Sequence, residues 1–502
     1  MDFLVKDPVI AEPPDFTARR VAGLLVRGGR IAAVYAEAPE RWPDVPEEML
    51  PAGVLLPGFC DAHVHALSSA VALMSASLRE AGALEEVEAA VDAARGRGGA
   101  VVRAIGYDET RDPRGRALTR ERLDALVPDR PAVVLRVDLH SAWVNTRALE
   151  RLALAPGLAG VEEDGSGHLR GPAYEAACER FRGWISREER RKGLAALGTY
   201  AASRGVTSLH GLEGAPHPGD PERAEACELV PALPVRTRLY LQCFDVSAVA
   251  RRGLAQIGGC LLLDGSLGSH TAALDEPYAD EPGTRGLMYY ADTRVEALIR
   301  RADDRGMQCA FHAIGPRAIE QVLAAYERVL AGRSARDHRH RIEHFLVPRP
   351  DHVARAAALG LCLGVQPTFH HYWGGSGGMY AARLGEERVR RVNPLATLKR
   401  AGLTLGGSSD SDVTPLDPLL GVRAAVTHPV AEERLSTAEA LDLWVTGSRR
   451  LGFESDAGTL SVGQRADLVL LGRDPLATPA SELDRIPVLA TWVEGRRVWS
   501  SS

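Results

Sequence analysis

No apolar run in this 502-residue chain approaches the ~18 residues that a membrane-spanning helix needs. Its first residues, Met1-Asp2-Phe3-Leu4-Val5-Lys6-Asp7, lack the basic-then-apolar pattern of a secretory leader. Positive charge is not in excess: 60 Lys+Arg stand against 66 Asp+Glu, a net charge of -6. That balance argues against nucleic acid or an acidic membrane surface as a partner. No GxGxxG or Walker A segment follows an apolar run, which sets aside an open nucleotide-binding sheet. The seven cysteines (60, 178, 227, 243, 260, 309 and 362) are odd in number and scattered, without CxxC spacing. Reduced thiols in the cytoplasm are therefore expected rather than a disulfide framework. What remains is an ordinary soluble composition, 45% hydrophobic and 25% charged. The length suits two to three domains, or one large barrel with a companion.

Both ends of the chain carry short β-like runs. Gly23 to Arg27 and Arg30 to Val34 flank Gly28-Gly29 and predict a hairpin. Gln464 to Leu471 predicts a strand, and Leu489 to Val493, Glu494-Gly495 and Arg496 to Trp499 a second hairpin. One small β-sandwich domain built from residues 1–52 plus 455–502 is expected. Between them, apolar runs (100–105, 132–139, 206–209, 236–242, 260–263, 308–311, 361–365 and 403–405) alternate with helix-like stretches such as 319–330 and 351–359. Strand–helix alternation of this length implies an α/β parallel sheet, open or closed, over about 53–454. Insertions are expected at about 107–190 and 367–390. Residues 367–383, rich in aromatics and glycine, read as a mobile loop closing over a ligand.

The stretch Pro57-Gly58-Phe59-Cys60-Asp61-Ala62-His63-Val64-His65 follows the buried-strand run Val54-Leu55-Leu56. Alternation along a strand puts His63 and His65 on one face, as two ligands of one metal ion require. Other strand ends offer metal-competent groups: His312 after Cys309-Ala310-Phe311, His344 after Arg341-Ile342-Glu343, and Asp410 after Leu403 to Ser409. Cys260 opens the run that reaches Asp264. In a closed barrel all of these lie at the carboxyl-end mouth, where such barrels carry their chemistry.

These segments resemble the amidohydrolase superfamily, in particular its YtcJ-like branch (the amidohydrolase 3 group), which includes N-substituted formamide deformylases. The matching stretches are PGFCDAHVH (57–65), HSAWVNTRAL (140–149), LDGSLGSHTAAL (263–274), FHAIGPRAI (311–319), HRIEHF (340–345), QPTFHH (366–371), GSSD (407–410) and GTLSVGQRADLVLL (458–471). They span nearly the whole chain in the family's order. The resemblance implies a (β/α)8 TIM-like barrel and one or two divalent metal ions, Zn2+ in expectation. Their ligands would be His63, His65, Cys260, His312, His344 and Asp410. Cys260 stands where relatives often carry a lysine, carbamylated in some so that it bridges two metals. Either its thiolate takes that role, as a cysteine does in D-aminoacylase-like members, or it is a buried thiol beside one metal on His63, His65, His312 and Asp410. His270 replaces the Arg of the relatives' GSRTA.

The implied reaction is hydrolysis of a non-peptide C–N bond of an amide, formamide or cyclic amide. Asp410 would take a proton from water acidified by the metal and return it to the leaving nitrogen, with His344 or His312 polarising the carbonyl. Tyr107, His140, Trp143, His210, His270, His370 and Trp373 are the candidate substrate contacts. Glu343 is expected to turn away from the metal into a salt bridge. The alternatives are a deaminase, lyase or isomerase on the same scaffold, or a barrel without catalysis. A small molecule is the expected partner. The assembly is open, with a homodimer the commonest form.

Overall fold

Eight parallel strands curl into a barrel in the computed structural model, which describes residues 2–96, 99–161, 165–215, 220–334 and 336–501. They are β1 (Phe59–Val64), β2 (Val206–Glu213), β3 (Arg236–Leu241), β4 (Gln256–Ile257), β5 (Gln308–Ala313), β6 (Arg341–His344), β7 (Cys362–Val365) and β8 (Thr404–Gly407). Each pairs in parallel with the next in chain order. The seam between β1 and β8 is closed just past their ends. His65 N donates to Ser411 O (2.7 Å) and Asp410 N to His63 O (2.9 Å). Ser409 N donates to the buried carboxylate of Asp61 (3.1 Å).

Alternation along the strands separates two cores. On β5, Cys309, Phe311 and Ala313 face outward into the large core between barrel and helices. Ala310, on the other face, packs with Leu212, Tyr240 and Cys260 inside the barrel. The helix Pro316–Leu330 starts with proline in its first turn, where the missing N–H costs nothing. Its Ile319, Val322, Leu323 and Tyr326 recur at helical spacing and cover β5 from outside.

Two further β layers flank the barrel. A three-stranded sheet (Phe3–Lys6, Gly23–Arg27, Arg30–Tyr35) faces a six-stranded one that draws on both chain ends. In the latter, Val54–Pro57 pairs with Leu468–Leu471, which pairs with Val488–Val493. Leu468 and Leu470 meet Phe3, Leu24 and Val26 on one side, while Val469 and Leu471 join the barrel core on the other. The second extra layer is a five-stranded sheet of Ala76–Ser77, Val102–Tyr107, Ala132–Arg136, Ser141–Val144 and His168–Arg170. The runs 100–105 and 132–139 thus belong to an inserted sheet that begins by residue 76. Among the described residues no helix is long and apolar enough to cross a membrane.

Trp492 is 1% exposed in the shared core of the two terminal sheets, and its Nε1 donates to Glu48 (3.2 Å). Trp492→Ala should cost about 3–5 kcal/mol. A urea titration checks this; an unchanged midpoint would contradict the joint packing of the two chain ends.

Candidate metal centre

The barrel mouth gathers His63, His65, Cys260, His312, His344 and Asp410. His63 lies on β1 and His65 just past it, His312 on β5, His344 ends β6, and Asp410 follows β8. Cys260 does not open a strand. It follows the two-residue β4 across Gly258 (φ 89°) and Gly259 (φ 79°), and a Cβ on Gly258 would strike Ala310 O at 2.1 Å. Only glycine permits that turn against β5. His344 (φ 73°) and Asp410 (φ 53°) also have left-handed backbones, costing on the order of 1–3 kcal/mol each. On β6, Arg341 and Glu343 face the barrel interior, and the left-handed turn swings His344 into the mouth out of alternation.

The contacts test whether a metal fits. His63 Nε2 and His65 Nε2 are 3.4 Å apart, and Asp410 Oδ1 is 3.1 and 3.3 Å from them. Cys260 Sγ is 3.6 Å from His312 Nδ1. Ligands held at about 2.0–2.3 Å around a tetrahedral ion have edges of roughly 3.3–3.7 Å. His344 Nε2 and Asp410 Oδ1 are buried without a hydrogen bond. Three overlapping trios have ligand atoms within 4.8 Å of one another: His63/His65/Cys260, Cys260/His312/His344 and His63/His344/Asp410. Cys260 belongs to two of them.

Every imidazole is tied at its other nitrogen. His63 Nδ1 donates to Glu343 Oε2 (3.0 Å), His65 Nδ1 to Leu212 O (2.8 Å), His344 Nδ1 to Gln366 Oε1 (2.8 Å) and His312 Nε2 to Gly265 O (3.2 Å). Such acceptors fix the ring and aim the other nitrogen at the ion. Burial opposes charge on each group, yet the cluster overrides it. Asp410 and Cys260 raise His63 and His65 well above the usual imidazole range. Asp264 and Cys260 push His312 up to about 10. The surrounding imidazoles hold Cys260 and Asp410 well below their ordinary values. Without a cation these anions are balanced by protons on the imidazoles; a divalent ion would displace them. The donor set fits a divalent metal.

Glu343 is paired with Arg341 (2.8 Å), as expected, but the pair lies inside the barrel beneath His63, whose Nδ1 it holds. Gln366, which holds His344 Nδ1, is a residue that the apolar runs do not single out; its place just after β7, level with the clustered side chains, is the signal that finds it. A cavity of about 270 Å3 opens above the cluster, lined by His140, Phe369, Trp373 and Tyr380 among others. His140 and Trp373 thus stand at the cavity. Five other candidates do not. Tyr107 is turned by a bulge at Gly106 (φ 88°) onto the far face of the inserted sheet, where its hydroxyl accepts from Leu118 N. Trp143 pairs with Val134 on that same face and stacks on His168 (3.9 Å between ring centres). His210 points inward but too low: β2 runs on to Glu213, so His210 lies one layer below Leu212, between Arg341 (3.1 Å) and Glu454 (3.6 Å). His270 is held by Asp280 (3.1 Å) and Glu281 (3.3 Å). Residues 367–383 are two short helices, Pro367–Trp373 and Met379–Leu384, rather than an irregular loop. Helical spacing puts Phe369 and Trp373 on the cavity side and turns His370 away, to Ala424 O (3.0 Å) and Asn393 (3.0 Å).

A profile of the Amidohydrolase family matches residues 52–499. The chain is 28% identical to the putative amidohydrolase YtcJ of Bacillus subtilis (strain 168), covering 95% of this chain and 98% of that protein. It is 26% identical to the N-substituted formamide deformylase of Arthrobacter pascens, over 94% of each. Among solved structures, an uncharacterized metal-dependent hydrolase from Pyrococcus horikoshii OT3 superposes with a TM-score of 0.76 at 25% identity, over 96% of this chain and 99% of that one.

Two outcomes follow from the tied imidazoles. Gln366→Leu frees His344 and should weaken metal affinity about 10–100-fold in competition with a chelator; equal affinity would contradict the role. Below their raised pKa values His63, His65 and His312 carry protons that a metal must displace, so loading should tighten as pH rises and release protons at neutral pH. Calorimetry in two buffers of different ionisation enthalpy counts them, and proton-neutral uptake would contradict the scheme.

Proposed function

The chain belongs to the Amidohydrolase family, and on that premise we propose that it hydrolyses a non-peptide C–N bond of a small amide, formamide or cyclic amide. The observation that carries this reading is the convergence of four imidazoles, a thiol and a carboxylate on one cavity floor, at separations suited to a shared metal. Cys260 belongs to two of the trios, which supports the reading of its thiol as a ligand over that of an inert buried thiol. Imidazole and thiolate together suit Zn2+. Bound there, a divalent ion supplies Lewis acidity toward a carbonyl oxygen and lowers the pKa of water.

Asp410 is the proton carrier of the proposal. Its carboxylate takes the proton of the attacking water and returns it to the leaving nitrogen. His312 and His344 are poor choices for polarising the carbonyl, because each has one nitrogen on a protein acceptor and the other in the ligand cluster. His140 is the better choice. It lines the cavity with its ring centre 6.0 Å from that of His312, and burial lowers its pKa so that it is neutral near pH 7 and donates one N–H. Trp373, Phe369 and Tyr380 form the apolar wall that excludes water and seats the rest of the substrate. Seven free cysteines suit a reducing cytoplasm.

A panel of amides offered to the metal-loaded protein tests the reading, with carboxylate and amine or ammonia measured together. Equimolar appearance of both is expected; release of neither, or of an elimination or isomerisation product, contradicts it. Asp410→Asn should lower kcat about 10²–10⁴-fold with much of the metal retained. His140→Ala should lower kcat about 10²-fold with metal content unchanged; native kcat in either variant removes that residue's role.

A further inference from the structure

The main cavity does not end at its own wall. A second hollow of about 70 Å3 adjoins it, and Ser68, Val71, Leu135, Phe181, Ile185 and Asp412 line both. Ten of the fourteen residues around this annex are apolar. Its floor is the inner face of the inserted sheet. Val133 and Leu135 point into it, while Val134 between them faces the opposite core beside Trp143. Ala72, on the helix Ala66–Met74, and Trp184 close the sides. Its two hydroxyls are already engaged, Ser68 Oγ on Asp412 (2.9 Å) and Ser75 Oγ on Val71 O (2.8 Å), and Arg103 is paired with Glu189 (3.0 Å).

We propose that the substrate is an amide bearing one extended apolar arm, an alkyl chain or a slender aryl-alkyl group, that runs from the metal past Leu135 and Phe181 into this annex. The inference rests on the reading that the main cavity takes an amide. The barrel fixes the reacting carbonyl, and the inserted sheet measures the length of the arm.

Two matched series, aliphatic primary amides with the arm on the acyl carbon and N-alkylformamides with the arm on nitrogen, from butyl to decyl, provide the test. In one series kcat/KM should climb roughly fourfold for each methylene that enters the annex, and which series climbs identifies the arm's side of the scissile bond. Ala72→Phe fills the annex from the helix side and should flatten the climb across the series. Should that variant not fold, affinities of the same amides for the metal-free native protein, read by calorimetry, carry the test without turnover. Affinity that climbs with length supports the annex even if nothing is hydrolysed, in which case the hydrolytic reading alone fails. Hydrolysis with rates and affinities flat across both series, or affinity lost altogether, overturns the inference.

Discussion

Asp410 and Cys260 bring two acidic groups into buried positions on the floor of the mouth, and the rest of the site is arranged to make that tolerable. A buried anion without a partner is strongly unfavourable. Here four imidazoles surround the pair, each held at its far nitrogen by Glu343, Leu212 O, Gln366 or Gly265 O. Protons can balance such a cluster, and so can a divalent ion. Because the rings are already aimed, metal binding needs little reorganisation. The same requirement explains the tolerated strain at His344 and Asp410, whose left-handed backbones would otherwise be only a cost.

The barrel seam sets this geometry. Asp61 accepts Ser409 N, and the bonds between His63, His65, Asp410 and Ser411 backbones join the first strand to the end of the last. Residues far apart in the chain thereby become neighbours in the mouth. Beneath it a buried polar column continues down the barrel: Glu343 pairs with Arg341, Arg341 meets His210, and His210 meets Glu454. Buried ion pairs of this kind add little net stability, but removing one member leaves a lone charge in the core. The column therefore locks the strands in register under the site. The inserted sheet, in contrast, contributes nothing to the metal cluster. It brings His140 and the floor of the adjoining hollow, while Phe369, Trp373 and Tyr380 come from the two helices after β7, so the cavity is walled by two layers of the molecule.

The clustered side chains of the mouth were legible because each follows an apolar run in a chain that alternates strands and helices, and because they lie within stretches resembling a known superfamily. The substrate contacts were less so, for identifiable reasons. His210 sits on the correct face of β2, but the strand is longer than its apolar run, which places it one layer too deep. A single bulge at Gly106 reverses Tyr107, and strand parity sends Trp143 to the far face. His370 follows a helical rather than an irregular path. The runs 100–105 and 132–139 look like barrel strands because an inserted sheet obeys the same local alternation; only pairing distinguishes them. Cys260 was identified as a candidate, yet its delivery by a Gly-Gly turn depends on close approach to β5 that spacing alone does not reveal.

X-ray absorption at the metal edge of the loaded protein reads out the ligand set itself. A stoichiometric divalent ion with imidazole nitrogens is expected and, for zinc, nitrogen and sulphur scatterers at about 2.0–2.1 and 2.3 Å. The sulphur signal should disappear in Cys260→Ser. A protein that retains no metal after dialysis, or a bound metal without imidazole and sulphur neighbours, would contradict that ligand set.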